Sequence, residues 1–369
     1  MNYEIKSVAG LVKKSVFNMN PYDAPKEGRG EENKLRLDFN EMLRKPHKRV
    51  IEEVINYAKK GEFQIYPEYA DLDEIIANYA GVKSSEVMPT NGSDEAIDIV
   101  YRAFVGKGDK VILPIPTFAT LRSSAQIEGA VIVSPHYEGE NLDFPFDGVM
   151  KAIKPGVKAV VLCSPNNPTG TAIPKEQLEQ VIKRSKERNT IVMVDEAYYE
   201  FAKEVVPEIS VVDLIPKYDN LYVTRSLSKS MGIAAFRPGY VISQEKNIKE
   251  LRKIRPPYSV NMVAVVAMRA LRFPEVVGDI EKYAHEIMKL SKPMVEEFYR
   301  EHGIRFFPSA ANFHLIEDKD YNMSDFLELK GILTRPRSDP KGTLRVTIGT
   351  EKDTRRYLKA LQEYLKTSK

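Results

Sequence analysis

A lysine set among small residues has the clearest chemical potential in the chain: Ser226-Leu227-Ser228-Lys229-Ser230-Met231-Gly232, with Arg237 eight residues beyond the lysine. Short apolar runs at 221–223 and 240–242 flank the stretch and read as strands, so the amine sits on a turn at a sheet edge. Small neighbours let a bulky group approach the backbone, and an arginine close by suits a phosphate. A lysine that captures an aldehyde as an imine needs such a setting. Two plainer readings stand beside it. Ser-x-x-Lys also occurs in acyl-transfer enzymes and by chance, and most lysines are solvated surface groups.

Polar residues follow other strand-like runs in the same way. Pro116-Thr117-Phe118 comes after 111–113, Ser164-Pro165-Asn166-Asn167-Pro168-Thr169-Gly170 after 159–163, and Asp195-Glu196-Ala197-Tyr198 after 191–194. These runs are continuously apolar and rich in β-branched residues, which predicts strands buried on both faces and hence a mostly parallel sheet covered by helices. Ligands of such sheets collect outside the carboxyl ends of the strands. Asn-Pro-Thr-Gly alone makes a good turn with no ligand present, but four polar strand ends on one edge are harder to dismiss. Asn91-Gly92-Ser93-Asp94 leads into a helical pattern, and free amides at a helix start attract anions.

The elements that must position these groups divide in two. A chain of 369 residues with 43% hydrophobic content predicts a large α/β domain over 45–245 and a smaller one over 35–44 and 246–369, after an N-terminal arm over 1–34. Helical periodicity marks 46–58, 71–79, 176–188, 246–255, 263–271 and 280–301; strand patterns mark 35–39, 304–307, 312–316 and 344–348. With 55 basic and 52 acidic side chains the charge is nearly balanced, which argues against a nucleic-acid partner. The sequence has neither a membrane-length apolar run nor a signal-peptide core, so a cytoplasmic protein without a membrane partner is expected. The single Cys163 has no internal disulfide partner, and the five histidines show no metal-ligand spacing, so no metal is expected.

In order along nearly the whole chain, these motifs resemble pyridoxal-phosphate enzymes of the aspartate-aminotransferase fold (fold type I), and most closely the histidinol-phosphate aminotransferases. The resemblance rests on Pro21-Tyr22, Leu37-Asp38-Phe39-Asn40-Glu41, Tyr66-Pro67-Glu68, Gly92-Ser93-Asp94-Glu95, the 164–170 turn, Asp195 to Tyr199, Ser226 to Lys229, Arg237, Gly331 to Arg337 and Leu344 to Thr350. The spacing of Asn167, Asp195, Lys229 and Arg237 makes it specific.

The resemblance implies roles. Lys229 would hold the cofactor aldehyde as an aldimine and shuttle a proton, Asp195 would keep the pyridine nitrogen protonated, and Asn167 and Tyr198 would bond the phenolic oxygen. Ser93, Asp94, Ser226, Ser228 and Arg237 would bind the phosphate, and Phe118 would stack on the ring. Tyr66 would reach that phosphate from a neighbouring subunit, which implies a homodimer. Arg345 would grip a carboxylate, helped by Asn312, with Asn40 also lining the substrate site. Tyr22 and Arg335, with Arg337 a further candidate, would meet a distal phosphate.

The implied reaction is amino transfer from L-histidinol phosphate to 2-oxoglutarate. The alternatives are aromatic amino acid transamination, a phospho-amino-acid decarboxylase and a non-catalytic relative. Two departures from the family pattern bear on specificity: Met42-Leu43 where Asn-Pro is usual, and Phe118 where tyrosine is common.

Overall fold

The computed structural model describes residues 11–20, 29–31 and 33–367. In chain order its strands are β1 (Leu35–Arg36), β2 (Val87–Asn91), β3 (Lys110–Ile112), β4 (Val131–Val133), β5 (Val157–Cys163), β6 (Ile191–Asp195), β7 (Leu221–Ser226) and β8 (Pro238–Ile242). They are followed by β9 (Phe313–Glu317), β10 (Ile332–Leu333), β11 (Arg335–Ser338) and β12 (Lys341–Thr347). Seven form the main sheet in the order β2-β8-β7-β6-β5-β3-β4. The five strands from β4 to β7 run parallel, whereas β8 is antiparallel to β7 and β2 to β8.

Alternation along the central strands feeds two cores. Val160, Leu162, Val192, Val194 and Val223 pack on one face with Leu178, Val181 and Ile182 of the helix Lys175–Lys186. Val161, Cys163, Met193 and Tyr222 pack on the other with Ile97 and Val100 of the helix Gly92–Phe104. Helices therefore cover both faces, as the unbroken apolar runs require. The parity carries through to the strand ends: Asp195 continues the face of Met193, and Glu196 that of Val194.

β2 is not among the strands expected from the sequence, where Asn91 to Asp94 mark only the approach to a helix. Pro89 lacks an N–H for a ladder, but β2 is the edge strand and pairs on one side only, where proline is tolerated.

A second sheet, β11-β12-β9, is antiparallel throughout. Its core joins Ile316, Leu344 and Val346 to Val295, Tyr299, Tyr357 and Leu361 of two helices, and to Leu35 and Leu37. β1 pairs with β10 in parallel, Leu35 against Ile332. The 35–39 strand stops at Arg36, freeing 38–41 to turn toward the main sheet. The 304–307 pattern forms no strand, only the isolated bridge Phe306 to Ile316. The 280–301 helix exists as Pro274–His285 and Lys292–Glu301 joined by a π-helical turn, Glu286–Ser291.

Candidate active site

The carboxyl ends of β5, β6 and β7, with the loop after β3, open onto a cavity of about 430 Å³. Segment 38–41 and the second sheet close its other side. Lys229 lies on the turn after β7, and its Nζ donates to the Phe39 carbonyl oxygen at 2.8 Å. Burial, and then the Arg345 guanidinium, pull its pKa down to about 8.

Asp195 ends β6 at 2% exposure. Thr224, its register partner on β7, donates Oγ1 to Asp195 Oδ1 at 2.7 Å. Among the described residues, Oδ2 has only Cys163 Sγ, at 3.8 Å. Burial pushes the carboxyl up to about 7, against the pull of the Thr224 hydrogen bond. The cavity thus disfavours charge on both its central acid and its central base.

One end of the cavity is built from backbone. The helix Gly92–Phe104 starts there with Ser93 and Asp94 in its first turn. Gly239 on β8 lets that start approach, since a Cβ there would lie 2.4 Å from Ser93 N. A Cβ on Gly92, whose φ is +79°, would meet Arg237 Nη2 at 2.9 Å. Arg237 holds a left-handed backbone, φ +62°, and its Nη2 pairs with Asp94 Oδ2 at 2.9 Å. Ser226 Oγ is engaged with backbone, donating to Pro238 O and accepting from Ser228 N. Ser228 Oγ is buried and makes no hydrogen bond among the described residues.

The opposite wall joins parts of the chain far apart in sequence. Arg345, on β12 and 6% exposed, donates to Asn167 Oδ1 at 2.7 Å and to the Asp38 carbonyl oxygen at 2.5 Å. Asn40 Nδ2 donates to Tyr198 Oη at 2.9 Å, and burial pushes that phenol up to about 12. Phe118, half-buried before the helix Ala119–Ile127, also lines the cavity.

Three sequence-predicted residues among those described fall outside the cavity. Asn312 is fully buried behind the wall, where its Nδ2 donates to the Asn40 carbonyl oxygen; it supports Asn40 and does not itself line the cavity. Arg335 does not line the cavity, because its guanidinium lies over the Phe39 ring, 5.4 Å from the centroid; Arg337, two residues on, does line it. Tyr66 is 71% exposed, stacked on Tyr258 at 4.3 Å and outside this cavity. Tyr22 lies outside the described residues.

Sequence reasoning missed Phe39, Thr224, Cys163 and Asp38 as contributors. Thr224 had a findable signal, since equal parity on adjacent strands sets it opposite Asp195. Phe39 and Asp38 act through carbonyl oxygens, which leave no mark on side-chain type.

The family model for aminotransferase class I and II matches residues 32–361. The chain belongs to this family. A histidinol-phosphate aminotransferase of Thermoanaerobacter pseudethanolicus is 34% identical over 341 residues, covering 90% of this chain and 93% of the relative. One from Methanocaldococcus jannaschii is 32% identical over 344 residues, covering 90% of this chain and 89% of the relative. Among solved structures, the histidinol-phosphate aminotransferase of Sinorhizobium meliloti, in complex with pyridoxal-5'-phosphate, superposes with a TM-score of 0.83 at 20% identity, covering 97% of this chain and 98% of that one. That likeness supports the fold.

The cofactor of class I and II aminotransferases is pyridoxal 5'-phosphate, and the residues present fit it. The glycine-lined helix start with Arg237 and the Ser228 hydroxyl suits the phosphate, Asp195 Oδ2 suits a ring N–H, and the Lys229 amine suits the aldehyde.

Proposed function

We propose that this aminotransferase moves an amino group from L-histidinol phosphate to 2-oxoglutarate. One observation carries the reading: a single cavity unites the Lys229 amine and the buried Asp195 carboxyl with three arginines, Arg237, Arg337 and Arg345. One guanidinium serves the cofactor phosphate; two more suit reactants that carry a carboxylate or a phosphate of their own. The names of the relatives point the same way.

Bound pyridoxal phosphate supplies an aldehyde that condenses with amines and a ring that accepts the electron pair left when a Cα–H bond breaks. Lys229 moves the proton. With a pKa near 8, roughly a tenth of its Nζ is neutral at pH 7, far more than for an ordinary lysine. A base poised near the working pH both accepts and returns a proton efficiently. Asp195 Oδ2 holds a proton on the ring nitrogen, and Thr224 fixes the carboxylate so that this oxygen faces the cavity. Asn167 and Tyr198 orient the ring oxygen, and Arg345, itself braced by Asn167 and Asp38, orients a substrate carboxylate. Arg337 receives the distal phosphate, while Arg335 acts from outside by stacking on Phe39.

Aromatic amino acids are a second donor class, favoured by the aromatic lining of Phe39, Phe118 and Tyr198. A panel of single half-reactions with histidinol phosphate, phenylalanine, tyrosine and glutamate separates the two. Faster turnover of histidinol phosphate, with at least a tenfold loss for that donor alone in Arg337→Ala, supports the first reading. Equal losses for phenylalanine would contradict it, and carbon dioxide release would indicate a decarboxylase.

The working unit in this reading is a cytoplasmic homodimer whose Tyr66 serves the partner's phosphate site. Its exposure and its place outside its own cavity favour that. Mixed dimers of Lys229→Ala with Tyr66→Phe, both defects falling in one site, should regain activity at the other. The two-domain division, with 35–44 assigned to the smaller unit, belongs to the same reading and is supported by the β1–β10 pairing.

A further inference from the structure

The β6–β7 ladder ends at the pair Asp195–Thr224, where the two chains begin to part. The last backbone bond between the two strands is Glu196 N to Thr224 O at 2.8 Å, which belongs to that pair. Yet the distance between Asp195 and the 226–229 turn has to be held at this point. We propose that the buried pair Glu196–Arg225, on the reverse face of the sheet, is the positioning device that sets it.

The parity of the strands supports this. Asp195, Thr224 and Ser226 share the cavity face, and Glu196 and Arg225 the other. Neither residue lines the cavity, and both are 2% exposed. Arg225 donates Nε and Nη2 to Glu196 Oε2 at 3.0 and 2.8 Å. The Ser210 hydroxyl donates to the same oxygen at 2.9 Å, and Val211 N to Oε1 at 2.9 Å. Arg225 Nη2 also donates to Ser210 Oγ at 2.7 Å, and its guanidinium lies 3.8 Å from the Tyr199 ring centroid. The pair therefore ties three segments together: the end of β6 with Tyr198-Tyr199, the 210–211 loop, and the end of β7 that leads to Lys229.

A buried ion pair gains little net stability over a well-packed apolar pair, so stability is a weak reason for one here. A forked guanidinium on a carboxylate does fix distance and angle, which a lysine does not. The inference rests on the reading that Asp195 and Lys229 hold the cofactor.

The test compares wild type, the double variant Glu196→Leu/Arg225→Met and Arg225→Lys. Melting temperature is measured without cofactor, pyridoxal-phosphate affinity by fluorescence, the pH midpoint of the visible absorbance, and kcat and KM. The double variant should melt several degrees below wild type, because Val211 N and the Ser210 hydroxyl lose their acceptor and the buried Glu200 loses the neighbouring Arg225 charge. Its kcat, KM and cofactor affinity are therefore read well below its melting temperature. Its kcat should fall roughly 10- to 100-fold, the order expected for a misplacement near 1 Å. KM should change by no more than about twofold, cofactor affinity should drop about tenfold, and the midpoint should move.

Arg225→Lys, which keeps the charge and loses the fork, should show the same pattern and decides the matter if the double variant folds poorly. Wild-type affinity, midpoint and kcat in Arg225→Lys would overturn the proposal. Failure of wild type itself to bind pyridoxal phosphate would instead overturn the assignment of the site.

Discussion

Two clusters of charge in this molecule, one lining the cavity and one half-buried against the second sheet, behave in opposite ways. In the cavity, burial raises Asp195 to about 7 and lowers Lys229 to about 8, so each is driven toward its neutral form. Against the second sheet, the half-buried Glu296 is lowered to about 2: burial works against its charge, but His314 and Lys292 beside it outweigh that. Its carboxylate lies 3.3 Å from His314 Nε2 and also pairs with Lys292 Nζ. Burial is common to both, so partners decide the outcome. The second cluster is internally compensated and structural. The cavity is left costly by its own protein, which is where ligand chemistry is expected.

Replacing Lys229 breaks the comparison most severely. Lys229→Ala should lower the half-reaction rate by at least about 10⁴-fold, because in the proposed reading this residue is both the covalent anchor and the base; stopped-flow absorbance measures it. Asp195→Asn should cost roughly 10²- to 10³-fold in kcat, because in the proposed reading its carboxylate would hold the proton of the ring nitrogen. The same variant should melt higher than wild type in the absence of cofactor, because it removes a buried charge the protein does not compensate.

The pH dependence carries a sign. Asp195 has a folded pKa above its ordinary 3.8, so the folded state holds the extra proton and wild-type stability should fall as pH rises from 3.8 to about 7. Asp195→Asn should flatten that limb.

Glu296 runs the other way. Its folded pKa lies below its ordinary 4.5, so its contribution is fully present above 4.5 and lost as pH falls toward 2. Glu296→Gln should therefore cost about 1–3 kcal/mol at neutral pH and less in acid, with kcat unchanged. Urea melts at pH 7 and pH 3 distinguish the two clusters.

The parts of the site that the sequence makes legible are those borne on the parallel strands. Asp195, Asn167, Lys229 and Phe118 follow apolar runs whose pattern already predicts a shared edge. β2 was hidden because Pro89 reads as a break, and only its edge position makes that proline harmless. The second wall was less legible, because Phe39, Asn40, Arg337 and Arg345 come from separated segments. Arg335 and Arg337 have equal parity on β11, and which one reaches the cavity depends on where Phe39 turns, a tertiary fact. Asn312 has the right residue type and neighbourhood for a substrate ligand, yet a backbone carbonyl claims its amide.

The central claim is that the amine of residue 229, made reactive by its surroundings, is the covalent partner of the cofactor. Mixing the protein with pyridoxal 5'-phosphate, reducing with borohydride and mapping the adduct by peptide mass spectrometry tests it directly. The account predicts one stoichiometric adduct on Lys229, absent from Lys229→Ala. Label spread over surface lysines, or unchanged in that variant, would contradict it.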